Sequence, residues 1–353
     1  MGLLAAREGL LQAGTRNWGW ALCLSNKWVI VLGYQRAVVG APRTIRNRRP
    51  PTMRVDDEIM SPVTGHLPAA DLRFLTGLIG APIAYSASPA MHERAAEALG
   101  ARCHYQLIEV AGAGREVLRG LLDGVQRLGF SGVNVTFPYK EAVVPLLDEL
   151  SPGASAIGAV NAVVVCDGRL IGYNTDATGF QRAVGNLLAA SSHGPVAVIG
   201  AGGVGKAIAF ALAGMGVAEL RIFDTDRGKA GELATRLGPK TRIADSVENA
   251  LRGAIGVVNG TPVGMSPDRG TPVPEALLHR GVWVADAVYS PLWTPLLIAA
   301  KAKGAEVMTG RDLAIYQAAD AFELFTGLKP SIVEMGNAFD AVMAKREAAV
   351  DAA

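Results

Sequence analysis

The chain is short of cysteine, of histidine, of net charge and of long apolar runs, and each shortage excludes something. Its three cysteines, Cys23, Cys103 and Cys166, are odd in number and far apart. They form neither a disulfide framework nor a metal cluster, and they fit a reducing cytoplasm. The five histidines (His66, His92, His104, His193, His279) are scattered without ligand spacing, so no metal site is expected. A net charge of +2 over 353 residues gives no electrostatic case for nucleic acid or an anionic membrane as partner. No apolar run is long enough to span a bilayer. The nearest, Trp18 to Gly40, is broken by Asn26, Lys27, Gln35 and Arg36 and lacks the layout of a signal peptide. Acids are nearly missing from the start: up to Arg54 only Glu8 stands against a series of arginines and Lys27. With Pro42, Pro50 and Pro51 and no periodicity, residues 1–70 read as a basic, disordered extension, or as sequence upstream of a start at Met53 or Met60.

What is present is apolar and regular. Half of the residues are hydrophobic, and the length allows two domains, each with its own core. The organising stretch is Val196 to Leu212, VAVIGAGGVGKAIAFAL. Val196 to Gly200 reads as a short buried strand, and a helical run follows from Val204, with Ile208, Ala211 and Leu212 on its inner face. Between them Gly200, Gly202 and Gly205 make G-x-G-x-x-G, with Gly203 as an extra glycine. The first glycine makes the tight turn, the second admits a pyrophosphate, and the third lets helix pack on strand. The diphosphate then meets the free N–H groups of the helix start. A second strand, Glu219 to Phe223, leads into Asp224, about where such units hold the adenosine ribose. The stretch predicts a dinucleotide site.

From Phe74 strands and helices alternate, which predicts a mainly parallel α/β sheet. Strands are expected at Phe74–Ile79, Cys103–Val110 and Gly132–Val135. Helices are expected at Pro89–Leu99, Glu116–Leu128 and Lys140–Leu150. Two short strands flank Asp167-Gly168, and a helix over Thr178–Ala190 leads into a linker, residues 191–195. The dinucleotide unit then runs to about Met308. A last amphipathic helix, Leu313–Phe325, stops at Gly327, with Pro330 beyond.

Three polar clusters sit at strand ends, where open α/β sheets bind ligands. Ser86 and Ser88, before a helix, suit a carboxylate, or Ser88 caps the helix. Thr136 and Lys140 fall about one turn apart where strand becomes helix. The lysine is either a solvated surface group or, in a closed cleft, a proton carrier with a lowered pKa. Asn161 and Asp176 form the third pair, and Asp176 alone reads as an N-cap.

The motifs GAPIAYSASPAMH, NVTFPYKE, AIGAVNAV, GYNTDATG, GAGGVGKA, NGTPVGM, VYSPLWTPLL and GRDLAIYQAADAF occur in that order. With them the chain resembles the shikimate/quinate dehydrogenase family over nearly all of residues 74–340. The resemblance implies an α/β protein: an N-terminal α/β substrate-binding domain, a C-terminal Rossmann NAD(P)-binding domain, and a cleft between them. The expected division is 71–177 for the substrate-binding domain, 178–309 for the dinucleotide domain, and 310–345 for helices that return to the first. It implies hydride transfer at a ring secondary alcohol, with Lys140 and Asp176 as the catalytic pair. Ser86 and Ser88 would hold the substrate carboxylate with Tyr289 nearby, and Thr136, Asn161 and Gln317 would bind hydroxyls. The cofactor would lie on Gly200, Ala201, Gly202, Gly203, Val204 and Gly205, with Asp224 and Lys229 at its ribose. Its nicotinamide half would lie near Thr261, Met265, Ala287 and Gly310.

Two departures from the family pattern matter. Tyr85 stands where many members have histidine, at the pocket mouth. In IFDTDRGKA, Asp224 would accept the ribose 2′-OH and repel a 2′-phosphate, which favours NAD over NADP, although Arg227 and Lys229 stand close enough to favour a phosphate. The expected activity is therefore NAD-dependent interconversion of shikimate with 3-dehydroshikimate, and of quinate with 3-dehydroquinate. By resemblance this lies on the chorismate route to aromatic amino acids. The alternatives are a dehydrogenase of an amino or otherwise modified ring acid, an NADP-preferring shikimate enzyme, and a non-catalytic NAD sensor. The sensor is disfavoured by the intact Lys140 and Asp176. The expected partner is a small ring acid, and a homodimer is compatible with the reading.

Overall fold

A computed structural model describes residues 22–24, 27–29, 72–190 and 194–351. The rest of the expected extension (1–70) and residues 191–193 of the expected linker lie outside the described residues. The chain divides into two units, Met1–Pro62 and Val63–Ala353. In the first, β1 (Leu22–Leu24) and β2 (Lys27–Val29) pair antiparallel.

The second unit holds two six-stranded sheets. The first is built from β3 (Arg73–Gly80), β4 (Arg102–Glu109), β5 (Gly132–Val135), β6 (Glu149–Leu150), β7 (Ala162–Cys166) and β8 (Arg169–Tyr173), in the spatial order β4-β3-β5-β7-β8-β6. Here β3 pairs parallel with β4 and β5, while β7 is antiparallel to both β5 and β8. Its helices are α1 (Ser88–Ala98), α2 (Arg115–Arg127), α3 (Pro152–Ile157) and α4 (Thr175–Ala189).

The second sheet alternates β9 (Pro195–Ile199), α5 (Gly203–Gly214), β10 (Glu219–Phe223), α6 (Arg227–Leu237), β11 (Thr241–Ile243), α7 (Val247–Leu251), β12 (Gly256–Asn259), β13 (Trp283–Asp286), α8 (Pro295–Ala302) and β14 (Val307–Met308). All its pairings are parallel, in the order β11-β10-β9-β12-β13-β14. That is the doubly wound Rossmann order, with its switch point between β9 and β12. Alternate residues of β9 serve opposite faces, as a strand covered on both sides requires. Val196 and Val198 pack with Ile208, Leu212 and Ile222, whereas Ala197 and Ile199 pack with Val257, Val284 and Leu297.

The chain closes with α9 (Gly310–Thr326) and α10 (Ile332–Asp351). Met91 and Ala95 of α1 meet Ile315 and Phe322 of α9 and Met335 and Phe339 of α10 in one apolar cluster. Gly327 ends α9 in the left-handed conformation, as its position after the last apolar residue foretold.

Two local expectations are corrected. No helix spans Lys140–Leu150: a turn leads into a single 3-10 turn, Val144–Leu146, and then into β6. Pro145 has no N–H to give such a helix and would clash with the carbonyl one turn back. The helix expected from Thr178 starts earlier, and Asn174 rather than Asp176 caps it, accepting the Ala177 N–H at 3.3 Å.

His92 makes the core sensitive to acid. It is fully buried against Tyr105, Phe322 and Phe325, and neither ring nitrogen has a hydrogen-bond partner among the described residues. Burial disfavours the imidazolium and holds its pKa down to about 3, from an ordinary 6.5. The unfolded chain therefore binds the proton first. This contribution to stability is complete above pH 6.5 and falls by about 1.4 kcal/mol per pH unit below it, toward pH 3. His92→Phe keeps the aromatic packing and removes the titration. Between pH 7.5 and pH 5 the wild type is expected to lose about 2 kcal/mol more unfolding free energy than the variant, measured by urea titration. Parallel losses in the two proteins would show that His92 carries no linkage.

Candidate active site

The glycine loop has the sterics its spacing predicts. Gly200 has φ +102°, and a Cβ there would lie 2.9 Å from Gly260 backbone, so only glycine makes this turn. A Cβ at Gly205 would fall 2.1 Å from the Gly200 carbonyl oxygen, which is the close helix-on-strand approach. At Gly202 a Cβ would meet nothing within 4 Å. The backbone there opens onto the start of α5, whose first N–H groups have no intrahelical partner. Ala201 and Val204 complete this cradle, which fits a pyrophosphate. Asp224, at the end of β10, accepts the Ala201 N–H on Oδ2 at 2.6 Å and the Asp226 N–H on Oδ1 at 2.8 Å. Lys229 stands exposed in the first turn of α6, and Arg227 pairs with Asp245 at 2.8 Å.

Across the switch point the ends of β12 and β13 are joined by a polar network that sequence reasoning missed. Asn259 accepts from the Thr261 N–H and hydroxyl at 2.9 and 2.7 Å and donates to Asp286 at 2.9 Å. Asp286 also accepts the Val288 N–H at 2.9 Å and the Thr294 hydroxyl at 2.7 Å. Burial pushes its carboxyl pKa up to about 6, although these donors pull the other way. The signal was an acid closing the apolar strand WVAD and an asparagine closing GVVN. The network holds the turn from Thr261 to Met265. Ala287 donates to the Asn259 carbonyl at 3.0 Å. Gly310 brings the start of α9 against it: a Cβ there would lie 2.8 Å from the Ala287 carbonyl oxygen. Thr261, Ala287 and Gly310 thus gather at one end of the sheet.

In the first sheet the turn after β5 carries Lys140, and the first turn of α4 carries Asp176. Lys140 Nζ donates to Asp176 Oδ2 at 2.5 Å, and the two side chains are only 15% and 7% exposed. Residues 36 apart in sequence are thus a tight pair, with the carboxylate at the positive end of a helix, where it is favoured. Asn161 fixes it from the far side, donating from Nδ2 to Asp176 Oδ1 at 3.0 Å and accepting the Thr175 N–H at 2.7 Å. The same Nδ2 lies 3.4 Å from Gln317 Oε1. Gln317 reaches it because α9 packs on α4 at Gly179, where a Cβ would sit 2.7 Å from the Gln317 nitrogen. Four of the expected site residues therefore form one cluster.

The remaining expected residues occupy the neighbouring loops. Thr136 is held by its backbone, donating to Ile79 and accepting from Tyr139, both at 2.9 Å. Ser88 does not cap α1. Ser86 Oγ accepts the Ser88 N–H at 3.2 Å and donates to Ser88 Oγ at 3.1 Å. Tyr289 is half-buried; loss of solvent around its phenol pushes the pKa up, while the nearby Arg346 charge and Ser86 hydroxyl pull it down. Tyr85 is 74% exposed.

The two sheets meet at the lysine. A Cβ at Gly203 would lie 3.1 Å from Lys140 Cβ, so the glycine loop rests on the lysine's methylenes. Beside it Lys206 of α5, 9% exposed, donates to Glu141 at 2.7 Å. A lysine–carboxylate pair thus abuts a glycine loop whose shape fits a dinucleotide, an arrangement that would suit a nicotinamide-dependent oxidoreductase of an alcohol. No helix among the described residues is long and apolar enough to cross a membrane.

Residues 78–163 match the family described as shikimate dehydrogenase substrate binding domain. The chain is 43% identical over 275 residues to a quinate/shikimate dehydrogenase (NAD(+)) of Corynebacterium glutamicum, covering 75% of this chain and 97% of that protein. It is 42% identical over 271 residues to a shikimate dehydrogenase (NADP(+)) of Streptomyces avermitilis, covering 74% and 93%. Among solved structures, a quinate dehydrogenase from C. glutamicum in complex with NAD superimposes with a TM-score of 0.70 at 40% identity, over 76% of this chain and 99% of that one.

Proposed function

The chain belongs to the shikimate/quinate dehydrogenase family, and we propose that it interconverts shikimate with 3-dehydroshikimate, and quinate with 3-dehydroquinate, using NAD. Relatives in the family use NAD or NADP. The observation that carries the reading is the Lys140–Asp176 pair at 2.5 Å, set against the glycine loop at Gly203. In this reading residues 71–177 bind the ring acid, 178–309 bind the dinucleotide, and the helices from 310 to 345 return to the first part.

The nicotinamide cofactor, when bound, supplies the hydride acceptor or donor. Gly200 to Gly205 would hold its diphosphate and Asp224 its ribose. Thr261, Met265, Ala287 and Gly310 would border the nicotinamide half. During oxidation the Lys140 ammonium passes a proton to Asp176 Oδ2 as its Nζ takes the proton of the reacting hydroxyl, and both transfers reverse during reduction. Asp176 Oδ2 holds that ammonium in place and shares the proton, while Asn161 keeps the carboxylate oriented. Asn161, Gln317 and Thr136 bind the ring hydroxyls, and Ser86, Ser88 and Tyr289 bind the carboxylate. The low exposure of the pair keeps water from competing for the proton. Free Cys103 and Cys166 suit work in a reducing cytoplasm.

The test is nicotinamide absorbance with the purified chain, NAD+ and each acid in turn. Turnover is expected with both shikimate and quinate. If neither acid is oxidised but an amino-substituted ring acid is, the substrate assignment falls and the chemistry stands. Silence with all three acids and both cofactors would overturn the enzyme reading.

A further inference from the structure

The C-terminal helix brings a guanidinium to the edge of the proposed carboxylate pocket. Arg346, late in α10, donates from Nη2 to the Ser290 hydroxyl at 2.7 Å and from Nη1 to the Tyr85 carbonyl at 3.2 Å. Its guanidinium carbon lies 5.5 Å from the centre of the Tyr85 ring, within cation–π range. Both anchors adjoin residues assigned to the substrate: Tyr85 precedes Ser86, and Ser290 follows Tyr289. Through Ser290, whose carbonyl accepts the Ser266 N–H at 2.8 Å, the arginine is also tied to the turn that ends at Met265.

Its surroundings leave the charge unanswered. Its partners among the described residues are a carbonyl, a hydroxyl, an aromatic face and the Met343 sulfur at 3.9 Å, all neutral. A guanidinium carries five N–H donors, and these partners do not use them all. The side chain is half-buried, so solvent screens it incompletely. Its field reaches the half-buried Tyr289 phenol, whose ionisation it favours.

Hydroxyls alone discriminate poorly between a carboxylate and its neutral ester, since both present acceptor oxygens. A cation separates them, because only the acid brings the opposite charge. We propose that Arg346 is a specificity-determining residue that supplies the positive charge for the substrate carboxylate, its anchors at Tyr85 and Ser290 fixing the mouth of that pocket. The inference rests on the ring-acid dehydrogenase reading above.

The experiment compares shikimate with its methyl ester at saturating NAD+, in the full-length wild type, R346Q and R346K. In R346Q the KM for shikimate is expected to rise about tenfold, with kcat within about threefold of wild type. The preference for acid over ester should shrink by the same factor, and R346K should keep most of it. A preference unchanged in R346Q overturns the proposal even if KM rises, since that pattern marks an arginine that only braces the fold. An unmoved KM overturns it too. If R346Q does not fold, the wild type decides. Added salt should raise KM for the acid and not for the ester, and a salt-insensitive preference overturns the proposal. A wild type that oxidises neither compound defeats the functional reading and this inference with it, whereas wild-type turnover with an unaltered preference in the variant defeats Arg346 alone.

Discussion

Lys140→Ala is expected to lower kcat for shikimate oxidation by about 10²–10⁴-fold while KM stays within a few-fold. The ammonium sits 2.5 Å from a nearly buried carboxylate and beside the glycine loop, and in the proposed mechanism it acts on the reacting hydroxyl. In the proposed reading the carboxylate and ring contacts remain with Ser86, Ser88, Asn161 and Gln317, so ground-state affinity is expected to survive. Removing the lysine also leaves Asp176 without its ion-pair partner, although Asn161 still donates to it. Some loss of stability is therefore expected beside the kinetic loss. Asp176→Asn should lower kcat as well, and the double variant should be scarcely worse than Lys140→Ala, because groups that act as one unit are non-additive. Steady-state kinetics with thermal unfolding on the same samples separates the two effects. A Lys140→Ala enzyme with kcat within threefold of wild type would remove the lysine from the chemistry.

The wild type is expected to prefer NAD+ over NADP+ by at least about 100-fold in kcat/KM, since a like-charge clash costs several kcal/mol. Asp224 stands at the end of β10 with its carboxylate already gripping the loop through Ala201. A 2′-phosphate would be brought toward this fixed negative charge. Of the cations nearby, Arg227 is engaged with Asp245 and Lys229 is exposed one turn into α6, so neither is committed to an incoming phosphate. Replacing Asp224 with serine should narrow the preference without producing a good NADP enzyme. The N–H groups of Ala201 and Asp226 both lose their acceptor, and the cradle loosens for either cofactor. Equal or better kinetics with NADP+ in the wild type would sink the Asp224 argument.

Legibility from sequence followed the range of the forces involved. The glycine loop was readable because each glycine answers a local steric demand, and its strand and helix supply the context within one short stretch. The tight pairing of Lys140 with Asp176 was not readable from the residues alone. Their types say nothing of meeting across 36 positions, and it is the resemblance of NVTFPYKE and GYNTDATG to a family that names them as the catalytic pair. Capping was misjudged at Asp176 because Asn174 is equally able to cap and stands at the true helix start. The helix expected after Lys140 ignored Pro145. Asn259, Asp286 and Thr294 escaped notice because a buried polar network draws one residue from each of several strands and loops, and no spacing rule links them.

Lys206 has a consequence for how the molecule can breathe. Its ammonium crosses from the first turn of α5 to Glu141, the neighbour of Lys140, and the two side chains are 9% and 41% exposed. Moving α5 away from the Lys140 turn would break this ion pair and the Gly203–Lys140 contact together. A movement in which α5 and the Lys140 turn travel together would preserve both contacts. In the proposed reading, such a movement would keep the glycine loop and Lys140 aligned while ligands enter and leave.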